Sequence, residues 1–246
     1  VASSRGLGDV YKRQILLYNP LMNQFKESWH FLLNNFQYLI VLVIPVLAVD
    51  IAVAMIVAPL EGMSQPEDIL AYFEGNSSLF FVGPLSLIIG IAYVGGIYKG
   101  FDSITGSNYV KPLDALLLAL KKFFPLLGAV ILSTILIMLG FLLLILPGIY
   151  LMGRFSLYGC YIMLENKGAM EALRLSWDNT DEHGGKLFKF TLTFLALLMI
   201  STLIVNSLID TGIVNIAILA SLEYLFMIPL AYIYFTLYKS FKTSQD

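Results

Sequence analysis

Six apolar segments of near helix length dominate the chain: Phe36–Ala58, Leu79–Tyr98, Pro125–Leu146, Ile149–Leu164, Leu187–Ile209 and Ile213–Tyr238. About 20 apolar residues in a helix cross roughly 30 Å of hydrocarbon. Inside a bilayer every backbone N–H and C=O must be satisfied within the protein, so segments of this kind fold as helices. The expected fold is therefore all-α, a polytopic membrane bundle of six transmembrane helices. Composition agrees: 58% of residues are hydrophobic and 13% charged, against about 25% charged in a soluble domain. The fourth segment is the shortest, and only Pro147-Gly148 separates it from the third, which predicts a tight hairpin there.

The basic residues order these segments. Lys26 precedes the first; Lys99, Lys111, Lys121 and Lys122 lie between the second and third; Lys167, Arg174, Lys186 and Lys189 lie around the start of the fifth; Lys239 and Lys242 follow the sixth. The connections 59–78, 147–148 and 210–212 contain no Lys or Arg. Because Lys and Arg stay on the cytoplasmic side during insertion, an even number of spans with both termini cytoplasmic is expected, in a bacterial inner membrane. The long outer connection Pro59–Ser78 carries Glu61, Glu67, Asp68 and Glu74. Its Asn76-Ser77-Ser78 matches a glycosylation sequon, and a helix N-cap before the second span is the better reading.

Residues 1–14, VASSRGLGDVYKRQ, resemble the translated read-through of a sequencing adapter and are expected to be non-native. Setting them aside leaves one integral membrane domain over 15–242 and a tail over 243–246. The net charge of -2 argues against a nucleic-acid partner, and the single cysteine, Cys160, excludes an intrachain disulfide or a cysteine-based zinc cluster.

Before each odd-numbered span lies an amphipathic stretch: Phe25–Asn35, Pro112–Phe124 and Gly168–Trp177. In the second, Leu113, Leu116, Leu117, Leu120 and Phe124 recur at spacings of three and four, with Asp114, Lys121 and Lys122 opposite. Such helices lie in the membrane interface, and the Trp of Ser28-Trp29 and Ser176-Trp177 suits headgroup depth. A unit of interfacial helix, span, outer turn and span, repeated three times, is expected.

The most specific stretch is LPGIYLMGRFSLYGCYIMLENKGAMEALRLSW, Leu146–Trp177. Its Pro147, Gly148, Ile149, Arg154, Glu165, Gly168, Ala172, Leu173, Ser176 and Trp177 resemble a block of the YciC-type inner-membrane proteins and the related glycerophosphoryl diester phosphodiesterase membrane domain. In that phosphodiesterase family the chemistry belongs to a separate soluble domain. The resemblance thus implies a multi-pass membrane protein that is not an enzyme. After Trp177 the sequence Asp-Asn-Thr-Asp-Glu-His-Gly-Gly is more acidic than the family pattern.

Three charges lie within spans: Asp50, Arg154 and Glu223. A charge at the bilayer centre costs at least about 2.5–3.5 kcal/mol, so each must pair, snorkel or line a wet cavity. At 1.5 Å per residue they lie roughly 12, 8 and 15 Å from the outer end. Arg154, the only cation at that depth, is expected to pair with Asp50 or Glu223, the former by depth. Such a pair would fix helix packing, or bind a phosphate headgroup or a coupling ion.

Ala92, Gly96 and Gly100 form a small-residue face suited to close helix contact within the chain. Pro45 and Pro229 lie inside spans, and Ser201 and Asn206 offer hydrogen bonds across helices. His30 and His183 have no metal-ligand spacing, and Glu165, Asp178, Asp181, Glu182 and His183 read as a solvated acidic loop better than as a cation site. Nucleophile-elbow, phosphate-loop and dinucleotide motifs are absent from the sequence. No catalytic residue and no cofactor is expected. Two readings remain: a non-catalytic membrane protein interacting with membrane lipids or membrane-protein partners in envelope maintenance, and a small transporter or channel using Asp50, Arg154 and Glu223. A membrane-domain fragment of a phosphodiesterase is a lesser option.

Overall fold

The computed structural model describes residues 20–243, which are helical apart from short connections and contain no strand. The segment 1–14 set aside above, and the tail beyond Thr243, lie outside the described residues. Helix α1 covers Pro20–Asn34 and α2 Phe36–Val57; a 3-10 turn at Ala58–Gly62 and α3, Pro66–Gly75, lead to α4, Leu79–Thr105. Next come α5 (Pro112–Leu120), α6 (Phe123–Leu143), α7 (Ile145–Phe155) and α8 (Tyr158–Glu165). The chain continues through α9 (Ala169–Asn179), α10 (Gly184–Leu208) and α11 (Ile213–Thr243). Five helical stretches, Phe36–Leu60, Phe80–Thr105, Phe123–Leu143, Gly184–Leu208 and Ile213–Thr243, are long and apolar enough to cross a membrane. By length and composition the chain is a multi-pass membrane helical protein.

The segment expected as a fourth span over 149–164 is not one helix. It is two, α7 of 11 residues and α8 of 8, separated at Ser156-Leu157. The hairpin that precedes it also differs from expectation. The chain turns at Leu144, in extended backbone with φ -163° and ψ 158°, and Pro147 lies inside the first turn of α7. There its missing N–H removes a donor that has no intrahelical acceptor anyway. Gly148 is needed for close approach: a Cβ on it would sit 2.5 Å from the Phe141 ring, and one on Gly140 would sit 2.9 Å from the Gly148 Cα.

All three amphipathic stretches contain helices, α1, α5 and α9, but the expected leucine face of the second does not point inward: Leu113 and Leu117 are exposed, Phe124 belongs to α6 and is exposed, and α5 packs through its alanines, whose small side chains allow close approach. Ser28 and Leu32 of α1, Ala115 and Ala119 of α5, and Ala172, Leu173 and Ser176 of α9 are buried. Trp29, expected at headgroup depth, packs on Phe25, Phe194 and Phe226. The central packing joins α1, α4 and α11, where Phe31 stacks on Tyr232 at 3.7 Å and Phe101 meets Phe31, Tyr232 and Phe235 edge-on or tilted. The small-residue face of α4 works within the chain: a Cβ on Gly96 would strike Leu116 of α5, and one on Gly100 would strike Leu42 and Tyr38 of α2. Asn76 caps a helix other than the expected one, because its side-chain amide donates to Tyr72 O at the end of α3.

Charges tie one end of the bundle together, hereafter the basic end. Asp102 of α4 receives Lys99 at 3.1 Å and Lys239 of α11 at 2.8 Å. Glu165, the last residue of α8, accepts from Tyr238 at 3.0 Å and pairs with Lys242 at 2.8 Å, both on α11. The positive φ of Asn166, 61°, ends α8 in left-handed backbone that Asn tolerates, and the Lys167 N–H closes the turn onto Tyr161 O.

Gly148→Ala should lower stability by about 1–3 kcal/mol because α6 and α7 must separate to admit the methyl group. Gly185→Ala, where the added Cβ meets nothing within 4 Å, should leave the melting temperature in the same detergent unchanged.

Candidate functional site

Arg154 is the largest fully buried side chain, at 2% exposure. Its position explains the break between α7 and α8. The Nε donates to Thr180 Oγ1 at 3.0 Å, Nη1 to Tyr150 Oη at 2.7 Å and Nη2 to the Trp177 carbonyl at 2.6 Å. Asp181 adds an ion pair at 3.0 Å while remaining 77% exposed. The guanidinium carbon lies 4.0 Å from the centroid of the Trp177 ring, a cation–π geometry. A buried guanidinium is tolerated only when its fork of donors is filled, and here three acceptors and a carboxylate fill it.

The main chain of Arg154 is held as firmly as its side chain. Ser176 Oγ donates to Arg154 O at 2.7 Å and accepts the Leu157 N–H at 3.1 Å. One hydroxyl thereby satisfies the carbonyl before the break and the amide after it. Beneath the arginine, α10 begins with Gly184, where a Cβ would lie 2.7 Å from Tyr150 Oη and 3.2 Å from Arg154 Cδ. Gly153 similarly lets α7 approach Leu187 and Thr191 of α10.

Arg154 therefore pairs with Asp181 and not with Asp50 or Glu223, and it lies at the basic end instead of the outer half. The depth estimate assumed one straight helix entered at Ile149, whereas α7 starts at Ile145 and ends beside the start of α10. The resemblance-block residues do converge. Gly148 makes the close α6–α7 contact, with Pro147 and buried Ile149 on either side of it in α7; Arg154, Ser176 and Trp177 form the hub; Ala172 and Leu173 bury α9 beside it; Gly168 caps α9; Glu165 is held by α11. Tyr150, Thr180, Asp181 and Gly184 were not legible as hub residues. Thr180 continues the buried row Ala172, Ser176 at helical spacing, which was the available signal.

Asp50 and Glu223 lie away from Arg154: the Tyr224 hydroxyl donates to Asp50, the Tyr93 ring stands edge-on to Tyr224 at 5.2 Å, and Glu223 is the residue before Tyr224 on α11. The acidic residues around α9 separate to different partners: Glu165 to Lys242, Asp178 to Arg174, Asp181 to Arg154. No group of three or more potential metal ligands occurs among the described residues. His30 is exposed, and His183 places its ring edge against Phe241. Cys160 is fully buried.

A groove of about 630 Å³ runs between α2 and α11. Phe36, Leu39, Val43 and Leu47 form one wall and Val214, Ala217, Ser221 and Leu225 part of the other. Asp50 follows Leu47 on the same helical stripe and Tyr224 lies within the α11 lining, so the Asp50–Tyr224 contact adds a polar point along an otherwise apolar trough. A second cavity, about 300 Å³, lies between α4, α6, α7 and α11. Its hydroxyls are largely committed: Tyr98 donates to Ser156 O, Ser133 to Val130 O, and Tyr234 pairs with Thr191.

A protein family described as a domain of unknown function (DUF7847) matches residues 69–237, more than two thirds of the chain. No curated protein and no solved structure matches it.

The hub ranks its own members. Arg154→Lys keeps the charge but not the fork, and should cost about 2–4 kcal/mol. Ser176→Ala, which orphans the buried Leu157 amide and leaves the Arg154 carbonyl only its longer contact from Thr180 Oγ1 at 3.2 Å, should cost about 1–3 kcal/mol. Asp181→Asn, at an exposed carboxylate, should cost less than about 1 kcal/mol. Thermal melts of the three variants in one detergent measure the order.

Proposed function

Since the chain belongs to the DUF7847 family, whose description names no activity, we propose its function from its own geometry: a non-catalytic multi-pass membrane protein that holds a lipid acyl chain between α2 and α11. The observation that carries this reading is the apolar groove of about 630 Å³. It follows α2 from Phe36 to Leu47 for about 16 Å and α11 from Ile213 to Ile228 for about 22 Å, room for an extended acyl chain. Lipid tails are as apolar as the groove wall, so retention depends on continuous close contact and not on escape from water. The committed donors of Arg154 support a scaffolding role for the deep cation over an anion path. In this reading the basic end faces the cytoplasm of a bacterial inner membrane, and the three units α1–α4, α5–α8 and α9–α11 each begin with an interfacial helix. Envelope maintenance through lipid or protein partners fits both this arrangement and the resemblance of Leu146–Trp177.

Ala217→Trp fills the groove. Native mass spectrometry of the detergent-purified chain should show several-fold less co-purified phospholipid than wild type, whereas Met199→Trp, on exposed apolar surface of α10, should show no change. A folded Ala217→Trp variant with undiminished lipid would refute the reading.

One observation favours transport as a second reading: Asp50 within a span accepts from Tyr224, whose ring meets Tyr93 edge-on, and Glu223 adjoins Tyr224 on α11. If these carboxylates carry a cation, Asp50→Asn should abolish cation flux into proteoliposomes while leaving lipid co-purification intact.

A further inference from the structure

The turn between α6 and α7 is unlike the other connections at its end of the bundle. Phe141, Leu142, Leu143, Leu144, Ile145 and Leu146 are consecutive, and their exposures run from 42% to 83%. From Ile135 to Ile149 there is no polar side chain. The neighbouring connections carry what a watery boundary requires: Glu67, Asp68 and Glu74 in α3, and Asp210-Thr211 between α10 and α11, where Asn215 also donates to Asn206.

The return path is also too short to start at the far boundary. Ile145 is nine residues before Arg154, about 14 Å of helix, and Arg154 is fixed to Thr180 and Asp181 and packed against Gly184 at the basic end. That distance is about half of a ~30 Å hydrocarbon layer. The approach path is oblique. Leu126 of α6 reaches the Gly95 position, and Ser133 and Ile137 share one cavity with Tyr93, Ile97 and Tyr98. Thus about 16 Å of α6 passes about 8 Å of α4. A helix running alongside α4 would keep pace with it.

We infer that α6, α7 and α8 form a re-entrant hairpin whose tip, Phe141–Leu146, ends within the bilayer and contacts lipid acyl chains. The hairpin leaves and regains the basic end, so α2, α4, α10 and α11 are the complete crossings and the termini share one side. The turn suits this depth. Only Leu144 leaves helical geometry, its N–H donates to Gly140 O, and Pro147 has no amide to strand in hydrocarbon.

The test uses the full-length chain in proteoliposomes with Cys160→Ala, so that single cysteines can be placed at Leu144, Thr211 and Lys121. A membrane-impermeant maleimide should label Thr211→Cys from one face and Lys121→Cys from the other. Leu144→Cys should be labelled from neither face until detergent is added. A bimane on Leu144→Cys should be quenched more by mid-chain doxyl lipids than by headgroup-level ones. Labelling of Leu144→Cys from the Thr211 face, or strongest quenching at headgroup level, would place the tip at the far boundary and overturn the inference. Absence of quenching at any depth would mean that protein, such as a second copy, covers the tip, and would overturn it equally. A melting temperature equal to the parent's shows that the variant is folded.

Discussion

The burial of one guanidinium organises the basic end of this bundle. Removing Arg154 from water is costly unless every donor finds an acceptor, and the acceptors come from three places: Tyr150 one turn earlier, the end of α9, and the connection to α10. Meeting them forces α7 to stop beside α10 and α9 to press against both. The helix break follows, because the Arg154 carbonyl and the Leu157 amide turn toward Ser176 and not toward their own helix. The ion pair with Asp181 is the least consequential of these contacts, since that carboxylate is mostly in water.

The long apolar helices and the three amphipathic ones could be read from the sequence because they are recorded in local periodicity, which survives any tertiary arrangement. The small-residue face on α4 was legible for the same reason. What could not be read is where a helix stops when its stopping depends on a distant hydroxyl. Ser156 and Leu157 carry no breaking signal of their own. Their interruption comes from Ser176, about twenty positions on, and an apolar run shows no trace of it. The position of Arg154 is hidden for the same reason: counting 1.5 Å per residue holds only along a straight helix, and the break at Ser156-Leu157 brings Arg154 to Asp181 and not to Asp50 or Glu223. Asp50 is held instead by Tyr224, a residue whose hydroxyl gives no charge to notice.

The two halves of the molecule use polar groups differently. At the basic end, carboxylates and bases are matched across helices, as Asp102 is with Lys99 and Lys239, and Glu165 with Lys242. These links join α4, α8 and α11 into a unit that also holds the Phe31–Phe101–Tyr232 stack. Beyond it, α2 and α11 diverge enough to leave the apolar trough, and α6 and α7 project an uncharged tip.

The arginine hub has a consequence for how the chain is made. Apart from Tyr150, every group that satisfies Arg154 is synthesised after it: the Trp177 carbonyl, Thr180 and Asp181, with Gly184 following to accept the packing. At elongation rates of about 5–20 residues per second, α7 emerges seconds before it has a place to settle. The guanidinium fork of Arg154 can therefore be filled only once the chain has been made through Trp177, Thr180 and Asp181, so this helix end is completed by residues that follow it.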